Sequence, residues 1–409
     1  MQSTQLYLDT ARLGRMSGRA QQAHLDFTRL AGAEGGSLFF EQFLQHGSES
    51  WSDSVQSTFP GLACWQGVAS LKRNLRTLAG SDPKLPVLMV NRLTQLMRFA
   101  ARLLFQTCRN ILVTDLGWPP YRDILEAEAR RAGRLVTCLD VRELICKGHT
   151  TEDELIGAIQ NRFLQTDCDG LFLTAVSHMG FRLPVERVVR TLEAARELRL
   201  VIVDGAQDFC HVSDDLNNGY CDLYLAGCHK WLQGFHPMGL GFYGRNCSRR
   251  LIEILMSHLL STGELDDPLL RFTSQLEATV LDGETETVNL IPLFTCQGAA
   301  TDALARTASL SGMLELRRQN VVQVATMAES CGWRPVLAAE PFRTGILILQ
   351  AGRAAIQQRS PLELRRTFAD KGVALTAYEG GMVRLSVPDT EWRDTDIDQL
   401  RRALRSAVA

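Results

Sequence analysis

The stretch YLAGCHKWLQGFHPMGLGFYG, residues 224–244, contains one lysine. Lys230 stands between His229 and Trp231, after a short apolar run and before a group of glycines. A lysine held away from water is poorly solvated when charged. Its pKa falls, and the neutral amine becomes a nucleophile toward carbonyl carbon. The runs CDLYLAG (221–227) and GLGFYG (239–244) read as strands on either side of it.

Upstream the chain alternates two periodicities. NILVTDL (110–116), RLVTCLDV (134–141), GLFLTAV (170–176) and LVIVDGA (200–206) are short apolar runs of strand type. Between them YRDILEAEARRAG (121–133), TEDELIGAIQNRFL (151–164) and VERVVRTLEAARELR (185–199) show the three-to-four spacing of helices. This pattern predicts an α/β fold with a mainly parallel sheet covered on both faces. Open parallel sheets bind ligands beyond the carboxyl ends of their strands. Asp204 and Lys230 each follow such a strand, so one cleft is expected to hold both.

The rest of the chain divides around that sheet. Residues 1–60 are helical and loop-rich, with a capped helix at SGRAQQAHLDFTRLAGAEGG (17–36). They are expected to pack on both other parts. Residues 61–284 form the large domain. Residues 285–409 begin with one long helix over 293–332 and continue as a smaller α/β domain. No repeat or low-complexity segment is present.

Composition is that of an ordinary globular protein: 409 residues, 45% hydrophobic, 22% charged, net charge -2. This balance gives no drive toward nucleic acid or an acidic membrane. No apolar run approaches the ~20 residues of a membrane span, and the first residues lack a signal-peptide core. The eleven cysteines are scattered, odd in number and without a CxxC pair. They read as reduced thiols of a cytoplasmic protein. No tight Cys/His pairing suggests a metal. Gly239, Gly241 and Gly244 match GxGxxG by spacing, but the match falls in a strand rather than a strand-to-helix turn. A nicotinamide enzyme is therefore not indicated.

A reactive lysine is most useful with pyridoxal 5'-phosphate (PLP), which makes further demands. Its ring nitrogen needs a carboxylate, its phosphate needs helix-start N–H groups with added donors, and its ring face needs an aromatic plate. VIVDGAQDF (201–209) supplies Asp204 and Gln207. Leu93 and Thr94 open a helix in VNRLTQLMRFAARLLF (90–105). Trp118 lies in the strand-to-helix turn DLGWPPYRD (115–123).

DGAQ followed by CHKW and PMGLGFYG resembles the class V aminotransferase superfamily of fold-type I PLP enzymes. Cysteine desulfurases, kynureninases and isopenicillin-epimerase-like proteins belong to that group. The resemblance runs from about residue 85 to the end. It implies a large domain with a seven-stranded-type sheet and a smaller C-terminal domain. It implies that Lys230 forms the imine with PLP, Asp204 pairs with the ring nitrogen and Gln207 contacts the phenolate oxygen. Leu93, Thr94 and His229 would hold the phosphate, and Trp118 would stack on the ring. Ser177 and His178, in VSHMGFRLPV (176–185), would lie near the cofactor edge and the substrate. Arg384 would bind the substrate carboxylate. Thr287 would reach the phosphate of a neighbouring subunit, implying a homodimer. The chain departs from the family at Gly227, where a serine or threonine is usual, at Cys228, at Glu286, and in a loop after Lys230 that is about two residues longer.

These parts serve an aminotransferase acting on an amino acid or amine, the first expectation. A lyase or an epimerase on the same fold is the alternative, and a non-catalytic scaffold a further one. A persulfide-relay desulfurase is not expected, because no cysteine lies between Cys331 and the C-terminus.

Overall fold

The computed structural model describes residues 5–40, 42–146, 149–212, 215–278, 287–307 and 310–408. A two-residue strand β1 (Leu6–Tyr7) opens the chain. The large sheet contains β2 (Val87–Val90), β3 (Asn110–Thr114), β4 (Leu135–Leu139), β5 (Gly170–Thr174), β6 (Leu200–Asp204), β7 (Leu223–Gly227) and β8 (Gly239–Tyr243). Their spatial order is β2-β8-β7-β6-β5-β3-β4. β8 runs antiparallel to both its neighbours, and the other pairings are parallel. Six of the strands are buried throughout, as a sheet covered on both faces requires. β4 is the partly exposed edge.

The connecting helices form for local reasons. Thr151 and Glu154 make a reciprocal capping box at the start of Glu152–Gln165. Pro119 and Pro120 open Pro119–Ala132, and Gly133 closes it in the left-handed region at φ 63°. In Val185–Ala195 the buried residues Val185, Val188, Val189 and Leu192 make one stripe facing the sheet.

The second sheet has the order β12-β13-β10-β9 and is antiparallel throughout. Its strands are β9 (Trp333–Val336), β10 (Ile346–Ala351), β12 (Thr376–Tyr378) and β13 (Met382–Ser386). Helices Pro361–Ala369 and Asp394–Val408 cover it. β11 (Val373–Ala374) pairs in parallel with β1, joining the start of the chain to this unit.

One expectation needs correction. The long helix over 293–332 is two helices, Ile291–Ala305 and Leu310–Ser330. Before the break the Thr307 hydroxyl donates to the Leu304 carbonyl, a side-chain bond that competes with continued helix. The glycines of GLGFYG lie on β8 and at its end, as the strand reading requires. No helix among the described residues is long and apolar enough to cross a membrane.

The N-terminal part runs along both units. Leu8 N–H donates to the Ala374 carbonyl, and its carbonyl accepts from Ser386 N–H. Ala11 N–H donates to Ser386 Oγ at 2.8 Å. Gly14 N–H then donates to the His229 carbonyl at 2.8 Å, and Ser17 N–H to that of Gln233 at 3.1 Å. Ser17 caps the helix Gly18–Glu34.

Candidate active site

A cavity of about 470 Å³ lies beyond the carboxyl ends of the parallel strands. Lys230, Asp204, Gln207, Trp118, His178 and Arg384 all line it. The end of β6 delivers Asp204, the loops after β3, β5, β6 and β7 deliver Trp118, His178, Gln207 and Lys230, and β13 delivers Arg384 from the smaller unit.

Asp204 ends β6 between Thr174 of β5 and Leu225 of β7. Burial pushes its carboxyl up to about 6, opposed by a bond from Ala206 N–H and by the charge of Lys230. Burial pushes the Lys230 amine down to about 8; Asp204 opposes this and Arg384 adds to it. Burial in one site thus disfavours both a carboxylate and an ammonium. Perturbed groups of this kind gather at functional clefts.

Gln207 is held at both ends of its amide. Trp231 Nε1 donates to its Oε1 at 2.9 Å, and its Nε2 donates to the Ala11 carbonyl at 2.7 Å. The second Nε2 hydrogen remains for a ligand. His211 stacks on Trp231 with centroids 3.6 Å apart, fixing the indole. The turn that presents Lys230 is equally tied. Gln233 N–H bonds the Lys230 carbonyl at 3.0 Å and Gly234 N–H bonds that of Cys228 at 2.9 Å. The longer loop turns through left-handed Gln233 (φ 67°) and Phe235 (φ 63°).

Arg384 is buried. Its Nη1 donates to the His178 carbonyl at 3.2 Å, and its Nη2 lies 3.6 Å from Asp9 Oδ1. Thr376, its cross-strand neighbour, donates to the same carboxylate oxygen at 2.5 Å. Arg384 Nε is buried with no partner, as is His178 Nδ1. Burial holds His178 down at about 4, helped by the charges of Arg384, Arg142 and Lys230, so the ring is neutral at pH 7. Its edge meets the exposed Trp118 ring at 5.1 Å and 79°.

The remaining expected residues do not line the cavity. Leu93 is buried, and Thr94 exposed, in the first turn of Leu93–Thr107. His229 is half-buried and held at about 4, by burial and then by Lys230, with Nδ1 buried and unpaired. A Cβ on Gly227 would stand 3.0 Å from its ring, so a serine there would press on the imidazole. Glycine at 227 therefore accommodates His229. Ser177 requires correction: it is fully buried, and its Oγ accepts from Met179 and Phe181 N–H, so it builds the turn instead of facing the cavity. Thr287 is exposed, and Glu286 lies outside the described residues.

Ala11, Arg12, Tyr121, Thr174, Thr376 and Tyr378 also line the cavity. Sequence reading missed them. Tyr121 follows the Trp118 turn, and Thr376 and Tyr378 sit on the strand beside Arg384. Ala11 and Arg12 arrive from more than 100 residues away in sequence, with no local signal.

No family model matches the chain. Two curated relatives align with part of it, both isopenicillin N epimerases. That of Streptomyces clavuligerus is 29% identical over 178 residues, 44% of this chain and 42% of the relative. That of Amycolatopsis lactamdurans is 34% identical over 134 residues, 32% of this chain and 31% of the relative. The aligned parts thus span less than half of each relative's length. Among solved structures, cysteine desulfurase CsdA of Escherichia coli superposes with a TM-score of 0.66 at 18% identity, covering 100% of this chain and 96% of that one. Alanine–glyoxylate aminotransferase of Nostoc sp. gives 0.66 at 14% identity, covering 99% and 95%. A C-DES mutant with glycine covalently linked to its PLP cofactor gives 0.66 at 14%, covering 98% and 97%. The chain therefore has the fold-type I architecture, the one that class V aminotransferases and cysteine desulfurases share.

Proposed function

We propose that this chain is a PLP-dependent enzyme acting on an α-amino acid, with transamination as its reaction. The observation that carries the reading is one cavity holding a depressed lysine, a buried carboxylate and a buried arginine. The residues fit the cofactor. Lys230 supplies the amine, Asp204 a carboxylate for the ring nitrogen, Trp118 an exposed ring face and Gln207 a free N–H. The unpaired Nδ1 of His178, on the cavity wall, is a donor or acceptor without a protein partner.

When bound, PLP supplies a sink for the electron pair left by a bond breaking at Cα. The chain's own groups do the rest. Arg384 would orient the substrate carboxylate through its planar fork, steadied by Asp9 and Thr376. Lys230, near neutrality in pKa, would remove the Cα proton and return it at Nζ's reach. Asp204 would pair with the ring nitrogen of the cofactor and would keep a proton there.

A second reading, epimerisation, is favoured by the names of the two sequence relatives. It uses the same proton transfer and returns the proton to Cα. The cysteine desulfurases share the fold, so architecture does not separate them. The exclusion of a desulfurase expected from the sequence is therefore not supported by the comparisons.

Single-turnover incubation with individual amino acids tests the reading. Transamination predicts a pyridoxamine product spectrum with release of one equivalent of 2-oxo acid. Solvent deuterium at Cα with the original spectrum retained would mean epimerisation. No spectral response to any amino acid would overturn both.

A further inference from the structure

Arg12 has no task within the fold. Among the described residues its side chain has no hydrogen-bond or ion-pair partner, although it lines the cavity. Arginines elsewhere in the chain are mostly tied, as Arg245, Arg317 and Arg384 are. The backbone beneath Arg12 is fixed. Arg12 N–H donates to the Asp9 carbonyl at 2.9 Å. Ala11 before it is bonded on both sides, to Ser386 Oγ and from Gln207. Leu13 after it accepts from the Tyr7 hydroxyl at 2.5 Å. An exposed cation therefore stands on a backbone tied by hydrogen bonds at the edge of the cavity.

The cavity has a polarity that this cation completes. Among the described residues, Asp204 is the sole acid lining it, buried at the base beside Lys230. Arg384 lies at the small-unit wall, and its guanidinium is already steadied by Asp9. The cavity thus presents two guanidinium groups, Arg384 already paired with Asp9 and Arg12 without an anion among the described lining residues, beside a neutral imidazole.

We infer that Arg12 reads a second carboxylate on the substrate side chain, so that the substrate class is a dicarboxylic α-amino acid. This rests on the function proposed above and narrows it. Arg384 takes the α-carboxylate and Arg12 takes the distal one. A forked guanidinium suits a carboxylate in either place. Because Arg12 is exposed, its contribution falls as salt rises.

The test uses binding, so it does not depend on turnover. Glutarate and butyrate are titrated by calorimetry into the purified full chain and into Arg12→Gln and Arg12→Lys variants. Glutarate is expected to bind the native chain about tenfold more tightly than butyrate, the order one charge-assisted hydrogen bond supplies. Arg12→Gln is expected to remove that preference, and Arg12→Lys to keep part of it. Equal affinity for the two acids, or a preference that survives Arg12→Gln, overturns the inference. Borohydride fixation of PLP on the same preparations reports separately on the proposed function. Fixation without dicarboxylate preference refutes the Arg12 assignment alone, whereas preference without fixation supports it and refutes the PLP reading.

Discussion

Lys230 and Asp204 oppose each other in one dry pocket, and each sets a measurable pH dependence. The amine's pKa is about 8, against an ordinary value of 10.5. The rate at which the chain captures PLP should therefore rise with pH and level off above about 8. Asp204 holds a proton on the amine, so Asp204→Asn should move that midpoint to lower pH. A midpoint unchanged in the variant would contradict the coupling. The carboxyl of Asp204 has a folded pKa of about 6, above the unfolded 3.8. Folding then binds a proton between these values, and stability falls as pH rises through the window. In the cofactor-free protein Asp204→Asn should gain on the order of 1–3 kcal/mol at pH 7 and nothing below pH 4, read by urea unfolding. These residues were legible in the sequence because a lysine or aspartate beside apolar runs is costly, and their order in the chain matched a known pattern. Arg384 was legible for the same reason. Ser177 was not, since a serine that caps its own turn and a serine that faces a ligand look alike in sequence.

At the level of elements, the alternating strands and helices of the large unit were readable because burial on both faces leaves uninterrupted apolar runs. β2 and β9 were not anticipated. Each has four residues; β2 follows Pro86 and β9 contains Pro335, so neither carries a period long enough to read. The break between Ile291–Ala305 and Leu310–Ser330 lies beside Thr307, Ser311 and Gly312, weak helix formers whose signal is slight against the long helical runs around them. The close approach of the N-terminal segment to the Lys230 turn is a property of two elements together. A Cβ on Gly14 would stand 2.0 Å from the Lys230 carbonyl oxygen, a backbone atom that cannot step aside. Gly14→Ala should cost about 1–3 kcal/mol by overpacking and should slow PLP capture, since the turn must shift. Thermal unfolding and capture kinetics measure the two effects. A neutral outcome in both would mean that the segment is not seated on that turn. Gly227→Ser should likewise displace His229 and weaken cofactor retention, as seen by dialysis, instead of adding a useful hydroxyl.

For the molecule as a whole, the site is assembled from three stretches that are remote in sequence: residues 8–14, the strand-end loops between Trp118 and Lys230, and β12 with β13. Composition and periodicity exposed the second and outlined the third. The first was expected only as a segment packing on the other two, and its individual residues were not legible because their role rests on tertiary hydrogen bonds through Ser386, Gln207 and His229. Removing residues 1–17 should leave the large sheet folded, since its core lies elsewhere, while freeing Arg384 from Asp9 and opening the cavity. Circular dichroism should stay close to that of the full chain, and substrate turnover should fall by more than about tenfold, the loss of one oriented charge contact. Full turnover in the truncated chain would show that the segment is only a cover. The central claim concerns a single covalent bond and is tested most directly by chemistry. The purified full chain is incubated with PLP, reduced with borohydride, digested and analysed by mass spectrometry. The account predicts one pyridoxyl group, on Lys230, and its absence from Lys230→Ala. A chain that takes no pyridoxyl group, or takes it on other lysines to the same extent, would contradict it.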